Sequence, residues 1–159
     1  MGAAGKFERR WIGAQQWGLE RLGRLGARQG SSPVPAPHLL TGLRGEEAAT
    51  FELRRRGVVV VARRWTSPKM RGDLDLIGWD GDCLCFIEVK TRTARDTVPA
   101  EAGVDQLKRR MVRGLARIYL GTFPEPARRT IPVRFDVISV YLVGAATEFE
   151  FFPGAYGWR

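Results

Sequence analysis

Two apolar segments with alternating polarity flank an Asp-Gly pair near the middle of the chain, and this pattern constrains the fold most strongly. The segments are "GDLDLIGW" and "DCLCFIEVKTR", and Asp80-Gly81 between them is typical of a two-residue β-hairpin turn. A turn at these two residues places Asp75 opposite Phe86. Because side chains alternate along a strand, one face of the hairpin is wholly apolar and belongs against a core.

The other face of the predicted hairpin carries four charged residues at its open end: Asp73, Asp75, Glu88 and Lys90. Asp75 and Glu88 are diagonal neighbours, within reach of a shared ion. Two carboxylates this close repel each other, and a divalent cation removes the conflict. Lys90 can hold a phosphate or orient an attacking water. The hairpin therefore predicts metal-assisted phosphodiester hydrolysis. The alternative is a hairpin end with solvated ion pairs.

The remaining segments predict an α/β domain with a mixed sheet in the order α-β-β-β-α-β-β. A helix begins near Thr41 and is closed by Gly57 as its C-terminal cap. After the strand "VVVVARRW" and the hairpin, the other elements are a helix over 104–120 and strands over 133–142 and 148–152.

The first helix has an inward stripe that contains a carboxylate. Glu46, Ala49 and Leu53 share this stripe, whereas Glu47 points to solvent. A glutamate on a buried stripe needs a partner, and either the metal site or an arginine fits that need.

The second helix combines an apolar stripe with basic side chains on its other faces. The predicted stripe contains Val104, Leu107, Met111, Leu115 and Ile118. The basic residues are Lys108, Arg109, Arg110, Arg113 and Arg117. They form a solvated face, or a track for phosphates if they flank the acidic site.

The charge of the whole chain favours a polyanionic partner. Lys and Arg total 26 against 17 acidic residues, a net charge of +9, which predicts binding to nucleic acid or to an anionic membrane surface. No run of 18 apolar residues is present, so no transmembrane segment is expected. The cysteines, Cys83 and Cys85, lie on one face of a strand and suit a reducing, cytoplasmic setting.

The chain divides into a basic N-terminal extension over residues 1–40 and a domain over 41–159. The stretch "GSSPVPAP" is a Pro/Ser linker before the domain. Helical spacing earlier in the extension predicts a frayed or surface-docked helix, with a membrane-surface helix as the alternative.

Several segments together resemble a known family. The strings "GEEAATFELRRRG", "VVARRW", "GDLDLIGWDGDCLCFIEVKTRT" and "RFDVISV" are similar, in this order, to the YraN-like bacterial proteins, which are predicted nucleases. "DLI" followed by "EVK" matches the PD-(D/E)XK pattern of the restriction-endonuclease-like superfamily. The resemblance implies a restriction-endonuclease-like core and a magnesium-dependent endonuclease acting on DNA, with manganese as a substitute metal.

By motif position, the resemblance makes Asp75, Glu88 and Lys90 the catalytic residues. Asp75 and Glu88 would bind magnesium, and Lys90 would assist the attacking water. In the similar archaeal Holliday-junction resolvases a first-helix glutamate joins the site, and Glu46 fits that place. The pattern usually has asparagine where this chain has Arg64, and Gly-Glu rather than Gly-Asp before the strand aspartate.

We expect Arg92, Lys108 and Arg109 to contact nucleic acid, with structured or branched DNA among the substrates open to an enzyme. A second hypothesis is a nucleic-acid binding module that keeps the nuclease fold without cleaving. A third, a membrane-surface protein, depends on the N-terminal extension alone. The sequence leaves open DNA versus RNA, one metal or two, and a monomer versus a homodimer.

Overall fold

The computed structural model describes residues 37–93, 105–143 and 146–159. Residues 1–36, with the predicted N-terminal helix and all of the predicted linker except Pro37, lie outside the described residues. The first helix of the domain begins at Pro37 rather than near Thr41, so residues 37–40 of the predicted extension belong to it. The helices are α1 (Pro37–Arg55), α2 (Gln106–Leu120) and α3 (Glu125–Thr130). The strands are β1 (Val59–Ser67), β2 (Met70–Asp80), β3 (Cys83–Arg92), β4 (Val133–Val143) and β5 (Ala146–Tyr156).

The five strands form one mixed sheet in the spatial order β1-β2-β3-β4-β5. The β3–β4 pair is parallel, and the other three pairs are antiparallel. The connection from β3 to β4 passes through α2, as a crossover between parallel strands requires. The predicted mixed α/β sheet is therefore confirmed. In the described part of the chain, no helix is long and apolar enough to span a bilayer.

The predicted element order is wrong in one place, because the short helix α3 stands between α2 and β4. Its segment "EPARRT" has no buried residue, so it lacks the apolar periodicity by which helices are found in a sequence. Proline near its start and ion pairs from Glu125 to Arg128 and Arg129 favour the helix instead.

The hairpin turn lies at Gly81 and Asp82, one residue later than predicted. Ile77 therefore pairs with Phe86 rather than with Leu84. Gly81 has a φ of 58° and takes the first turn position, where glycine tolerates a left-handed backbone. The predicted register is wrong by two residues. A shift of two preserves the alternation, so the four charged residues still share one face.

Helix α1 covers the apolar face of the hairpin. Ala49 and Leu53 are fully buried there and pack in one cluster with Leu76, Cys85 and Ile87. The helix ends as predicted, with Gly57 at a φ of 88°. The inward stripe predicted for Ala49 and Leu53 is confirmed, and Glu47 is exposed as expected.

Helix α2 covers the opposite face, but with a different stripe from the one predicted. Leu107 is 69% exposed, whereas Val112 and Leu115 are buried. The helix begins at Gln106, after an N-cap at Asp105. The buried side is thus rotated by one residue and includes Lys108, one turn before Val112. Only Leu115 of the predicted stripe is fully buried, and Val104 lies outside the described residues.

Candidate active site at the fork between two strands

The candidate site lies where β2 and β3 separate. Their pairing ends at Leu76 and Ile87, and the next residues along the two strands are Asp75 and Glu88. The backbone N–H of Val89 donates a hydrogen bond of 2.8 Å to Asp75 Oδ2. Asp75 is therefore fixed in the gap beside Glu88, level with it rather than diagonal as predicted. Their side chains are only 13% and 4% exposed.

Two ammonium groups neutralise this carboxylate pair. Lys108 Nζ lies 3.1 Å from Glu88 Oε2 and 3.6 Å from Asp75 Oδ1, so one cation is shared by both acids. Lys90 Nζ donates a hydrogen bond of 3.1 Å to Glu88 Oε1. The structure thus brings together the three residues predicted to be catalytic and adds Lys108 to them. We call these four residues the fork cluster.

Burial perturbs the acid–base properties of the fork cluster. Burial, and then the neighbouring charge of Glu88, raise the pKa of Asp75 from its ordinary value of 3.8 to about 7. Burial alone would lower the pKa of Lys108, but the charges of Asp75 and Glu88 outweigh it and raise that pKa. The site therefore holds Asp75 near its titration point at neutral pH, as is typical of functional sites.

Glu46 lies at the edge of the site with a different cation. Its pKa is raised by burial, and its nearest ion pair joins Glu46 Oε2 to Arg64 Nε at 3.9 Å. Arg64 is also 3.9 Å from Asp73 Oδ2 and has a left-handed φ of 47°. The charges of Asp73 and Lys108 also act on Glu46. Its predicted role as a third metal ligand stays a prediction.

Glycine at position 45 allows α1 to approach the site this closely. A Cβ atom on Gly45 would overlap the side chain of Thr91 on β3. The helix backbone therefore contacts β3 near its end, and this contact sets the position of the next residue, Glu46.

The three residues predicted to bind nucleic acid lie in different surroundings. Lys108 belongs to the fork cluster. The guanidinium of Arg109 lies over the ring of Tyr156, 5.2 Å from its centroid. Arg92 lines a cavity of about 580 Å³, which Glu46 also lines. All three thus border the acidic site or a neighbouring cavity, and their contacts with nucleic acid stay predictions.

The fork cluster can be tested for its fit to a divalent cation. Among the described residues, no group of three or more His, Cys, Asp or Glu side chains is arranged to hold a metal ion. Asp75 and Glu88 nevertheless already direct one oxygen each at a single cation, the Lys108 ammonium. Two carboxylates completed by waters and substrate phosphates are a usual ligand set for magnesium. The pair fits that set, without Glu46.

Sequence patterns missed the place of Lys108 in the acidic site and the place of Tyr156 beside it. The signal for Lys108 was its spacing of four and seven residues from the buried Val112 and Leu115. Tyr156 is buried, and its pKa is raised first by burial and then by the charge of Glu88. Nothing in its local sequence distinguishes it from an ordinary core tyrosine.

Comparison with known proteins gives a family but no activity. Residues 45–140 match the model of the family described as "Uncharacterised protein family UPF0102". A UPF0102 protein of Koribacter versatilis is 47% identical over 124 residues, covering 78% of this chain and 84% of the relative. A second, from Solibacter usitatus, is 40% identical over 112 residues, covering 70% and 82%. A third, from Dictyoglomus thermophilum, is 34% identical over 118 residues, covering 72% and 95%.

Proposed function

The chain belongs to the uncharacterised protein family UPF0102, and on that premise we propose that it hydrolyses phosphodiester bonds of nucleic acid with a divalent cation. The observation that carries the proposal is the fork cluster, in which two buried carboxylates share one ammonium and a second ammonium lies beside them. Burying two carboxylates side by side destabilises a fold, so such an arrangement is typical of sites whose chemistry requires it.

The motif pattern supports a more specific proposal. An acid on one strand and Glu-X-Lys on the next resemble the PD-(D/E)XK pattern, and the wider string resembles the YraN-like proteins. We therefore extend the proposal to a restriction-endonuclease-like core, DNA as the substrate and magnesium as the cation, with manganese as a substitute.

The residues of the fork cluster have separable roles in this proposal. Asp75 and Glu88 would hold the cation, which supplies a Lewis acid for the phosphoryl oxygen when bound. Lys90, fixed by its hydrogen bond to Glu88 and partly exposed, is placed to stabilise negative charge on the phosphate or to orient the attacking water. Asp75 must be deprotonated to bind a cation, and its pKa of about 7 allows this near neutral pH.

A second function is favoured by one observation. Because Lys90 and Lys108 together already neutralise both carboxylates, the protein can present a surface of balanced charge to nucleic acid without any metal. A nucleic-acid binding module that does not cleave would have this property. In that case the net charge of +9 would account for affinity, and the carboxylates would only position Lys90 and Lys108.

A substrate panel separates the two functions. Labelled linear, flapped and four-way-junction DNA, with matching RNA, would be incubated with the wild type in magnesium, manganese or a chelator. The enzyme proposal expects cleavage of at least one substrate with either metal and none with the chelator. Binding without cleavage across the whole panel would contradict that proposal and favour the non-catalytic module.

A further inference from the structure

Lys108 occupies the position between the two carboxylates that a bound cation would need. Its Nζ atom is within 4 Å of an oxygen of Asp75 and an oxygen of Glu88. It reaches this position because it lies on the buried side of α2, one turn before Val112. The side chain is still 26% exposed, so a path to solvent exists.

We propose that Lys108 competes with the divalent cation for Asp75 and Glu88, and that the displaced ammonium then binds a substrate phosphate. This inference rests on the proposed function. It makes Lys108 a positioning residue that couples two ligands, because the cation releases the group that the phosphate needs. The cation and nucleic acid should therefore strengthen each other's binding.

The charges of the fork cluster support this coupling. With both carboxylates ionised, their two negative charges are balanced by Lys90 and Lys108, so the cluster has little net attraction for a phosphate. A divalent cation among the same oxygens repels the Lys108 ammonium and weakens its ion pairs with both acids. The cluster then carries a net positive charge, and Lys108 is free to pair with the polyanion.

If Lys108 has only a structural role, the binding measurements should give different results. In that case the ammonium would only stabilise the buried carboxylates, and its removal would weaken the fold. The cation and nucleic acid would then strengthen each other's binding by the same factor with and without Lys108, through direct contact between the cation and a phosphate. The two roles can therefore be separated by binding measurements alone, and no cleavage needs to be observed.

The first measurement is calorimetric titration of magnesium alone into the wild type, Lys108→Met and the matched control Arg110→Met. Methionine keeps an unbranched apolar stem and removes the charge, and Arg110 is an exposed basic residue on the same helix. We expect Lys108→Met to bind magnesium about tenfold more tightly, equivalent to about 1.4 kcal/mol, and Arg110→Met to match the wild type. A folded Lys108→Met variant that binds magnesium no more tightly would overturn the inference.

The second measurement uses a phosphorothioate DNA duplex, which resists hydrolysis, as the nucleic-acid probe. In the wild type, magnesium should strengthen duplex binding several-fold, and the duplex should strengthen magnesium binding by the same factor. In Lys108→Met this factor should fall, because only the direct attraction between the cation and the phosphates then remains. An undiminished factor in the variant would show that the coupling does not pass through Lys108.

The third measurement needs no variant and covers the case in which Lys108→Met does not fold. An amine-reactive reagent would be applied to the wild type with and without magnesium, and labelling followed by mass spectrometry. Magnesium should increase labelling of Lys108 several-fold and leave the exposed Lys69 unchanged. Unchanged Lys108 labelling in a protein that cleaves would overturn this inference and leave the proposed function standing. Increased labelling of Lys108 in a protein that cleaves nothing would support the competition between Lys108 and the cation and would contradict the proposed cleavage.

Discussion

Replacing Asp75 by Asn should make the protein more stable at about pH 8 while removing the nuclease activity that we propose. The carboxyl of Asp75 is held in a gap between strands, where burial and Glu88 raise its pKa from 3.8 to about 7. Asparagine has nearly the same shape, and its side-chain oxygen can still accept the hydrogen bond from Val89 N–H. The substitution therefore removes a buried charge without removing the contact that positions the side chain.

The magnitude follows from the pKa shift. Between pH 3.8 and 7 the folded protein retains the Asp75 proton that the unfolded chain has lost, so stability falls as pH rises through this range. Each pKa unit corresponds to about 1.4 kcal/mol, so the full loss is on the order of 4 kcal/mol. Asp75→Asn cannot ionise and escapes this loss. Its advantage over the wild type should be small below about pH 4 and reach roughly 2–4 kcal/mol by about pH 8.

Urea unfolding of both proteins, followed by circular dichroism at several pH values, measures this difference directly. Asp105→Asn, at the exposed N-cap of α2, is a suitable control for the loss of an aspartate outside the site. If Asp75→Asn is instead less stable than the wild type at about pH 8, Asp75 is a stabilising partner of Lys108. The view of the fork cluster as a functional site under strain would then be refuted.

Three further predictions concern the surroundings of the site. Arg64→Asn should raise the free energy of unfolding by about 1 kcal/mol in urea titrations, since asparagine tolerates a left-handed φ better; a loss would mean that the ion pairs of Arg64 outweigh its strain. Gly45→Ala should lower that free energy by roughly 1–3 kcal/mol because its Cβ meets Thr91, whereas the control Gly42→Ala, with nothing within 4 Å, should be neutral or stabilising. Equal changes in the free energy of unfolding of the two glycine variants would contradict this expectation. Nucleic-acid affinity, measured by fluorescence anisotropy, should fall steeply between about 50 and 200 mM salt. An affinity that does not change over this range would indicate that the basic surface has another role.

The hairpin shows which features of this fold are readable from sequence. The two faces could be predicted because alternation has a period of two and survives a register shift of two residues. The register itself could not be predicted, since "DGD" allows a turn at either the first or the second pair of residues. Gly81 decides the question through its left-handed backbone, and this requirement depends on how the strands twist around the turn.

The candidate site, like the hairpin, could be predicted from the sequence only in part. Asp75, Glu88 and Lys90 were predictable as a group because a single hairpin brings them together. Lys108 comes from a helix that follows residues 94–104, which lie outside the described part of the chain, and its stripe was assigned to apolar residues only. A lysine can lie on the buried side of a helix only if acidic side chains there pair with it, as Asp75 and Glu88 do with Lys108. The sequence does not show where α2 crosses the sheet, so it does not show that these acids lie next to Lys108. An arginine was one of the two partners that the sequence allowed for Glu46, but the sequence did not show that Arg64 of β1 is that arginine.

The most direct test of the central claim is a comparison of cleavage by wild type and Glu88→Gln. Both proteins would be prepared identically, with Glu125→Gln on α3 as a control for loss of a carboxylate elsewhere, and assayed under single-turnover conditions with magnesium. The fork cluster account predicts that Glu88→Gln slows cleavage by at least about 100-fold while still binding the substrate, and that Glu125→Gln cleaves like the wild type. Equal rates for Glu88→Gln and the wild type would contradict it, because the observed activity would then arise outside the fork cluster.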